Sequence, residues 1–277
     1  MGKAVSRAPS LGNRTARHYL IHMPTYLTDR AAISLTGAEA KSFLQGLTTN
    51  DIMVVTPDKP AYTALLTPQG KVLFDFLVSE ADGTHFIDCR KAVREALIKR
   101  LSMYKLRAKV EIAARDDLAV ALDGPDDPRL ARLGPRGIIP AGSGDSGDAA
   151  YLARRLELGV PEGEDFGSDR MFAMDACLDE LHAISFTKGC YVGQELTARM
   201  KHRGKDRKRL LPISASSSEL PAKDTPVVSG ELELGTIMST YGGRGFALVR
   251  MDRLAESAYP LTAAGIPVTI AKPDWLA

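Results

Sequence analysis

The chain of 277 residues carries 36 Lys and Arg against 34 Asp and Glu, a formal net charge of +2, so it is no polycation and any affinity for nucleic acid or phosphate must come from local patches. No apolar run reaches the roughly 18 residues that a bilayer span needs, which excludes a helical membrane protein. Three widely spaced cysteines, Cys89, Cys177 and Cys190, without a C-x-x-C pair, exclude a disulfide framework and an all-protein zinc site and point to a reducing compartment.

Residues 1–18 hold Lys3, Arg7, Arg14 and Arg17 and no acid, which predicts a disordered tail. An acid-free, Arg-bearing start also suits an organellar transit peptide, although Pro9 and Gly12 interrupt an amphipathic helix. Met1-Gly2 with Ser6 fits an acylation pattern only formally. From Ala32 to Leu35 a short β-prone run leads into Thr36-Gly37, after which Ala38, Phe43, Leu44 and Leu47 recur at helical spacing until Thr48-Thr49-Asn50-Asp51. Residues 61–66, 71–78 and 84–88, separated by Thr67-Pro68-Gln69-Gly70 and Ala81-Asp82-Gly83, read as a three-stranded antiparallel meander. In its middle strand Asp75 shares a face with Leu73 and Leu77, opposite Val72, Phe74, Phe76 and Val78. A carboxylate there is either a solvent-facing residue on an edge strand or a site carboxylate lining a cavity.

Val93, Leu97 and Leu101 predict a helix over 90–102, and residues 110–113 and 118–122 read as strands. The Gly-, Pro-, Ser- and Asp-rich stretch 134–148 predicts a flexible loop. Residues 149–158 predict a helix ending at Gly159-Val160-Pro161. Glu157 sits in its last turn, where the macrodipole disfavours an anion by a few tenths of a kcal/mol, a mild functional hint.

The run Lys188-Gly189-Cys190-Tyr191-Val192-Gly193-Gln194-Glu195 sets a thiol beside a cation, between glycines, after the β-prone Ser185-Phe186-Thr187 and before the helix-forming Glu195-Leu196-Thr197-Ala198-Arg199-Met200. At a helix start an anion gains roughly 0.3–1 kcal/mol, and Lys188 is expected to add to this, so Cys190 is the candidate nucleophile or metal ligand. Beyond residue 205, short β segments near 208–214, 226–228, 232–239, 245–250 and 266–270 predict a separate small β domain.

This run, followed by Ala198-Arg199 and Arg203-Gly204, resembles the signature of the YgfZ-type folate-binding proteins, relatives of the glycine-cleavage T-protein that serve iron–sulfur enzymes. Leu44-Gln45-Gly46-Leu47-Thr48-Thr49-Asn50-Asp51, Thr67 to Asp75, Arg155 to Pro161 and Gly245 to Arg250 are similar to further family blocks, in family order, from about residue 26 to the C-terminus. The resemblance implies an α+β fold: a ring of three subdomains, an interleaved α+β pair with a ferredoxin-like part over residues 19–205 and a C-terminal β barrel over 206–277. It implies tetrahydrofolate or a derivative as cofactor, with Glu157 receiving the pterin and Tyr191, Gln194, Glu195 and Arg199 beside it. Cys190, Lys188 and Asp75 would be the catalytic residues. It also implies iron–sulfur enzymes or cluster carriers as partners, indirect support of tRNA modification through cluster enzymes, and a cytoplasmic location, or the mitochondrial matrix in a eukaryote. T-proteins lack the Lys-Gly-Cys-Tyr-x-Gly-Gln-Glu run and carry adjacent aspartates where this chain has Phe74-Asp75. Arg30 and Val160 stand where some relatives offer aromatics to the folate.

Two other functions stay open on the residues. Seven cations between Arg199 and Arg209 (Arg199, Lys201, Arg203, Lys205, Arg207, Lys208, Arg209) face one acid, Asp206, which suits tRNA, although no aromatics interleave with them. A folate-dependent aminomethyltransferase would need Asp75 as a base placed at the folate.

Overall fold

A computed structural model describes residues 23–203, 208–216 and 219–276. The predicted N-terminal tail and the centre of the basic 199–209 segment lie outside them. In chain order the elements are β1 (Thr25–Tyr26), β2 (Arg30–Thr36), α1 (Ala40–Leu47), β3 (Ala61–Leu66), β4 (Val72–Ala81), β5 (Thr84–Arg90), α2 (Arg94–Lys105), β6 (Glu111–Arg115), β7 (Leu118–Asp126), β8 (Pro135–Pro140), β9 (Asp145–Ser146), α3 (Asp148–Leu158), α4 (Gly163–Phe166) and α5 (Gln194–Arg203). The C-terminal part adds β10 (Lys208–Ala215), β11 (Pro226–Ser229), β12 (Leu232–Tyr241), β13 (Arg244–Arg250), α6 (Met251–Ala255), β14 (Leu261–Ala263) and β15 (Ile266–Ile270). The mixed α+β class and the C-terminal barrel expected from the sequence are both present.

Five strands in the order β3-β4-β5-β2-β6 form one sheet, with the predicted meander at its start. α1 and α2 cover it: Ala40, Leu44 and Leu47 recur at i, i+4 and i+7 on α1 and are buried with Leu97 and Leu101 of α2 against Ile33, Phe76 and Ile87. A second sheet runs β8-β7-β1-β9, and β10-β13-β12-β11-β14-β15 close into a barrel with its own core.

Four local expectations change. β4 is an interior strand between β3 and β5, so Asp75 is buried, not on an edge. A register shift between Leu65 and Leu66 turns Val72 to the side of Leu77, into the core between the subdomains, while Phe74, Phe76 and Val78 pack under the helices. The predicted loop at 134–148 contains β8 and β9, whose partners β7 and β1 are supplied from elsewhere in the chain. Gly137 is needed there because a Cβ would sit 2.7 Å from the Asp123 carbonyl oxygen. Residues 185–187 are irregular, not a strand.

The segment from Gly167 to Gly193 contains no helix or strand, yet Met171, Ala173, Met174, Ala176, Leu178, Leu181, Ala183 and Ile184 are buried in the core shared by all three units. Its peptide groups are satisfied by successive turns, including Ala176 N–H to Phe172 C=O and Ala183 N–H to Leu178 C=O, which makes burial of irregular backbone affordable. This segment delivers the Lys188–Glu195 run to the surface.

Candidate functional site: an exposed thiol on an anchored loop

Phe186, Thr187, Gly189 and Cys190 are exposed, whereas Lys188 and Tyr191 are buried. The loop is therefore pinned at two points and open between them. The Lys188 ammonium donates to the carbonyls of Gln45 (2.7 Å), Thr48 (2.6 Å) and Asn50 (2.7 Å). Two of these belong to the end of α1, whose last carbonyls lack helical partners and carry the negative end of the macrodipole, so a lysine is the natural cap. Burial pushes the Lys188 pKa down to about 8, with Asp51 opposing. The neighbouring chain is stitched to the same block: the Asn50 amide donates to the carbonyls of Tyr62 and His182, and Ser185 N–H donates to Thr49 C=O.

Tyr191 supplies the second pin. It lies in the central core with the Lys188 ammonium 5.3 Å from its ring centroid, and burial pushes its phenol up to about 12. The chain then turns at Gly193 (φ +85°), where a Cβ would meet the Thr67 carbonyl oxygen at 2.6 Å and Gly70 Cα at 3.2 Å. Glycine is required there so that two turns can touch. Three sequence blocks, 44–51, 67–75 and 188–195, thus form one structure.

The roles expected within the run change accordingly. Lys188 spends its donors on carbonyls and is a positioning residue for the loop, not a counter-cation held for the thiol. Tyr191 is a core anchor. α5 begins at Gln194, four residues past Cys190, and Gln194 N–H bonds the Tyr191 carbonyl. Glu195 and Arg199 pair with each other at 2.6 Å on the exposed side of α5.

Glu157 is elsewhere. It is exposed and lines a cleft of about 460 Å³ between the end of α3 and the barrel, which none of Asp75, Lys188, Cys190, Tyr191, Gln194, Glu195 and Arg199 lines. The cleft tests well as a folate site. The Glu157 carboxylate has no hydrogen bond or ion pair among the described residues and can accept two parallel N–H bonds from a pterin edge. Leu158, Pro212, Ile213 and Pro273 give apolar walls, and Arg244 and Lys272 are cations within reach of a glutamate tail.

Asp75 belongs to a third place, a buried ionic core that the sequence did not announce. Glu162, fully buried, accepts from Arg129 Nη1 and from the Tyr151 hydroxyl, both at 2.7 Å, with Arg30 and Arg90 on its other oxygen at 3.5 and 3.4 Å. Asp88 binds Arg30 and Arg136, and Asp127 takes Arg129 through both oxygens. Arg155 reaches Asp165 at 2.5 Å, and Asp165 also accepts from Ser239 and Tyr241 of the barrel. Burial alone would raise the Glu162 pKa, but Arg129, Arg30, Arg155 and Arg136 overcome it and hold it well below the carboxylate range. Asp75 goes the other way. Burial first and then Glu162 raise it, against Arg30, and it accepts from the Tyr62 hydroxyl at 3.0 Å. Asp75 is therefore an interior group and not a base presented to a ligand in the Glu157 cleft.

Glu162 opens the short helix α4, where its backbone N–H donates to the Asp165 side chain at 2.8 Å. Its arginine partners come from β2, β5 and the β7–β8 connection, which no local pattern joins. In the basic segment, Arg199 pairs with Glu195, Lys201 with Asp179 and Arg209 with Glu180, so three of its seven cations are already neutralised.

The curated relatives settle the family. The chain is 30% identical over 302 residues to the iron-sulfur cluster assembly factor IBA57, mitochondrial, of Mus musculus, covering 90% of this chain and 84% of that protein. It is 33% identical over 288 residues to the Neurospora crassa homologue, covering 84% of this chain and 65% of that protein. The chain belongs to the IBA57 family. The YgfZ-type proteins that its signature run resembles are a related family, and the named relatives place the chain in the IBA57 family itself. Residues 207–277 match the CAF17 C-terminal beta-barrel domain, the same stretch that closes into the six-stranded barrel. The crystal structure of glycine cleavage system aminomethyltransferase T from Bartonella henselae superposes with a TM-score of 0.69, over 92% of this chain and 88% of that one. At 14% identity that likeness shows the fold alone. The IBA57 relatives are named mitochondrial, and among the described residues no helix is long and apolar enough to cross a membrane.

Proposed function

We propose that this protein assists the assembly or repair of iron–sulfur clusters by offering Cys190 as one thiolate ligand to a cluster whose other ligands belong to a partner. The observation that carries this reading is a single exposed thiol on a loop fixed on both sides by buried anchors. A thiolate lends a lone pair to iron without any other residue of the chain moving. Clusters usually need four ligands, and among the described residues no group of three or more His, Cys, Asp or Glu stands ready to hold a metal. The cluster is thus cargo, shared with the protein that carries it, and support of tRNA modification follows indirectly where the served enzymes hold clusters.

Tetrahydrofolate, when bound, would be held by Glu157 at the pterin with Arg244 and Lys272 toward its tail, and it would supply a carrier for one-carbon units. Aminomethyl transfer is disfavoured because Asp75 is interior. A tRNA-binding role for the 199–209 segment has less support, because Arg199, Lys201 and Arg209 already pair with Glu195, Asp179 and Glu180.

The test is complementation of a deletion strain, scored by the activity of a cluster enzyme. Cys190→Ala should be expressed and folded, since Cys190 is exposed, yet should fail to restore that activity. Full restoration would sink the proposal.

A further inference from the structure

A cleft of about 520 Å³ lies beside the thiol loop, lined among others by Val54, Pro60, Ile184 and Phe186, with Lys59 and His182 at its rim. Exposed apolar side chains gather there. Val54 is 48% and Phe186 40% exposed, and Met53, next to Val54, is 54% exposed. They come from two different segments, the turn after Asp51 and the loop before Lys188. The other large apolar residues that the described surface exposes are Met23, Met103, Leu106 and Tyr259, which lie in other segments. Single exposed apolar residues are ordinary, whereas a group around a concavity marks a contact surface.

The occupant follows from the distance to Cys190. Asn50 lines the cleft and its carbonyl holds the Lys188 ammonium at 2.7 Å, and Thr187 lines it too. Cys190 follows Thr187 by three residues, which span at most about 11 Å, so the thiol lies within about 11 Å of chain from this cleft. A protein whose cluster is bonded to Cys190 must lay its surface against the surroundings of that thiol. A standard interface takes about 800 Å² per partner, a disc of about 16 Å radius, which includes the cleft. Thiolate-ligated clusters are anionic, and Lys59, which lines the cleft, is an exposed cation beside it, whereas Lys201, 5.3 Å from the Phe186 ring centroid, is paired with Asp179.

We infer that Val54, Met53 and Phe186 form the docking surface for a cluster-bearing carrier protein, with one apolar side chain of that carrier seated in the cleft. The inference rests on the cluster-sharing reading above and names the surface that recognises the partner. Phe186 is the anchor, because aromatic residues at the centre of an interface carry a disproportionate share of its energy.

The test measures anaerobic binding of a purified [2Fe–2S] carrier protein, in holo and apo forms, to the full chain. Phe186→Glu and, independently, Val54→Glu should each weaken holo-carrier binding at least tenfold, about 1.4 kcal/mol, with an unchanged circular dichroism spectrum. Tyr259→Glu, 68% exposed on the barrel side, should bind as wild type does. Cys190→Ser should abolish the difference between holo and apo carrier. If both glutamate variants bind within twofold of wild type while Cys190→Ser loses that difference, the docking surface is wrong and the cluster-sharing reading stands. If Cys190→Ser keeps the difference but the glutamate variants lose binding, the docking surface stands and the cluster-sharing reading fails. Wild type binding neither form overturns the inference, as does a concentration-dependent dimer abolished by Phe186→Glu, which would assign the surface to a second copy of the chain.

Discussion

Replacing Lys188 with methionine separates anchoring from chemistry at the thiol loop. The ammonium makes three hydrogen bonds to carbonyls, and bonds of this charge-assisted kind contribute about 1.5–3 kcal/mol each. Their sum, about 4.5–9 kcal/mol, is offset by the several kcal/mol that taking an ammonium out of water costs. Lys188→Met should therefore lower global stability by only about 1–3 kcal/mol, because Met keeps the stem packed and water can reach the freed carbonyls from the open loop. Local order should change more. With one of its two pins removed, the chain around Cys190 should sample many conformations, amide exchange at 186–190 should rise, and a bulky thiol reagent should react faster. Cluster sharing should fall, since the thiol is no longer preorganised. Arginine should not rescue, because its planar fork cannot point three donors at three converging carbonyls. Urea unfolding, hydrogen exchange and anaerobic cluster binding together read this out. Wild-type exchange at 186–190 and undiminished cluster binding in Lys188→Met would refute the anchoring argument.

Four further outcomes follow from the buried ionic core and the outer cleft. Glu162→Gln strands Arg30, Arg90 and Arg129 without their shared anion and should cost about 3–5 kcal/mol in urea unfolding at neutral pH. Asp75→Asn should stay within about 1 kcal/mol of wild type, since it removes a carboxylate that burial and Glu162 already disfavour and leaves an acceptor for Tyr62. Because Glu162 and Asp88 are held below their ordinary values, the stability they contribute is present above about pH 4–4.5 and lost as pH falls through their folded values. Asp75, raised in the fold, costs stability as pH rises from about 3.9 toward its folded value, so a stability–pH profile of Asp75→Asn should lack that descending component. Anaerobic calorimetry should show saturable tetrahydrofolate binding that Glu157→Ala abolishes. Equal binding by wild type and mutant would move the folate away from the outer cleft.

Elements whose information is local were legible in the chain. The meander, α1, α3 ending at a left-handed Gly159, and the barrel strands are written in hydrophobic period and turn residues within windows of ten or so positions. The stretch 134–148 was misread for the opposite reason. Its glycines and prolines have the composition of a loop, and only pairing with β1 and β7, supplied from elsewhere in the chain, makes strands of part of it. Val72 changed face because a register shift is a property of two strands together.

Sequence alone singled out Cys190 and its run as the candidate site, and the family resemblance implied the T-protein-like α+β fold with a C-terminal barrel that the structure shows. Tertiary structure decided what each neighbour of that thiol does. It turned Lys188 inward onto the end of α1, buried Tyr191, and joined blocks 44–51 and 67–75 to the loop. It also separated Glu157, Asp75 and Cys190 into three different places. The physical reason is that a side chain's chemistry is fixed by its residue type, whereas its role depends on what lies within about 3 Å of its polar atoms. For Lys188, Glu162 and Asp75 those neighbours come from distant parts of the chain.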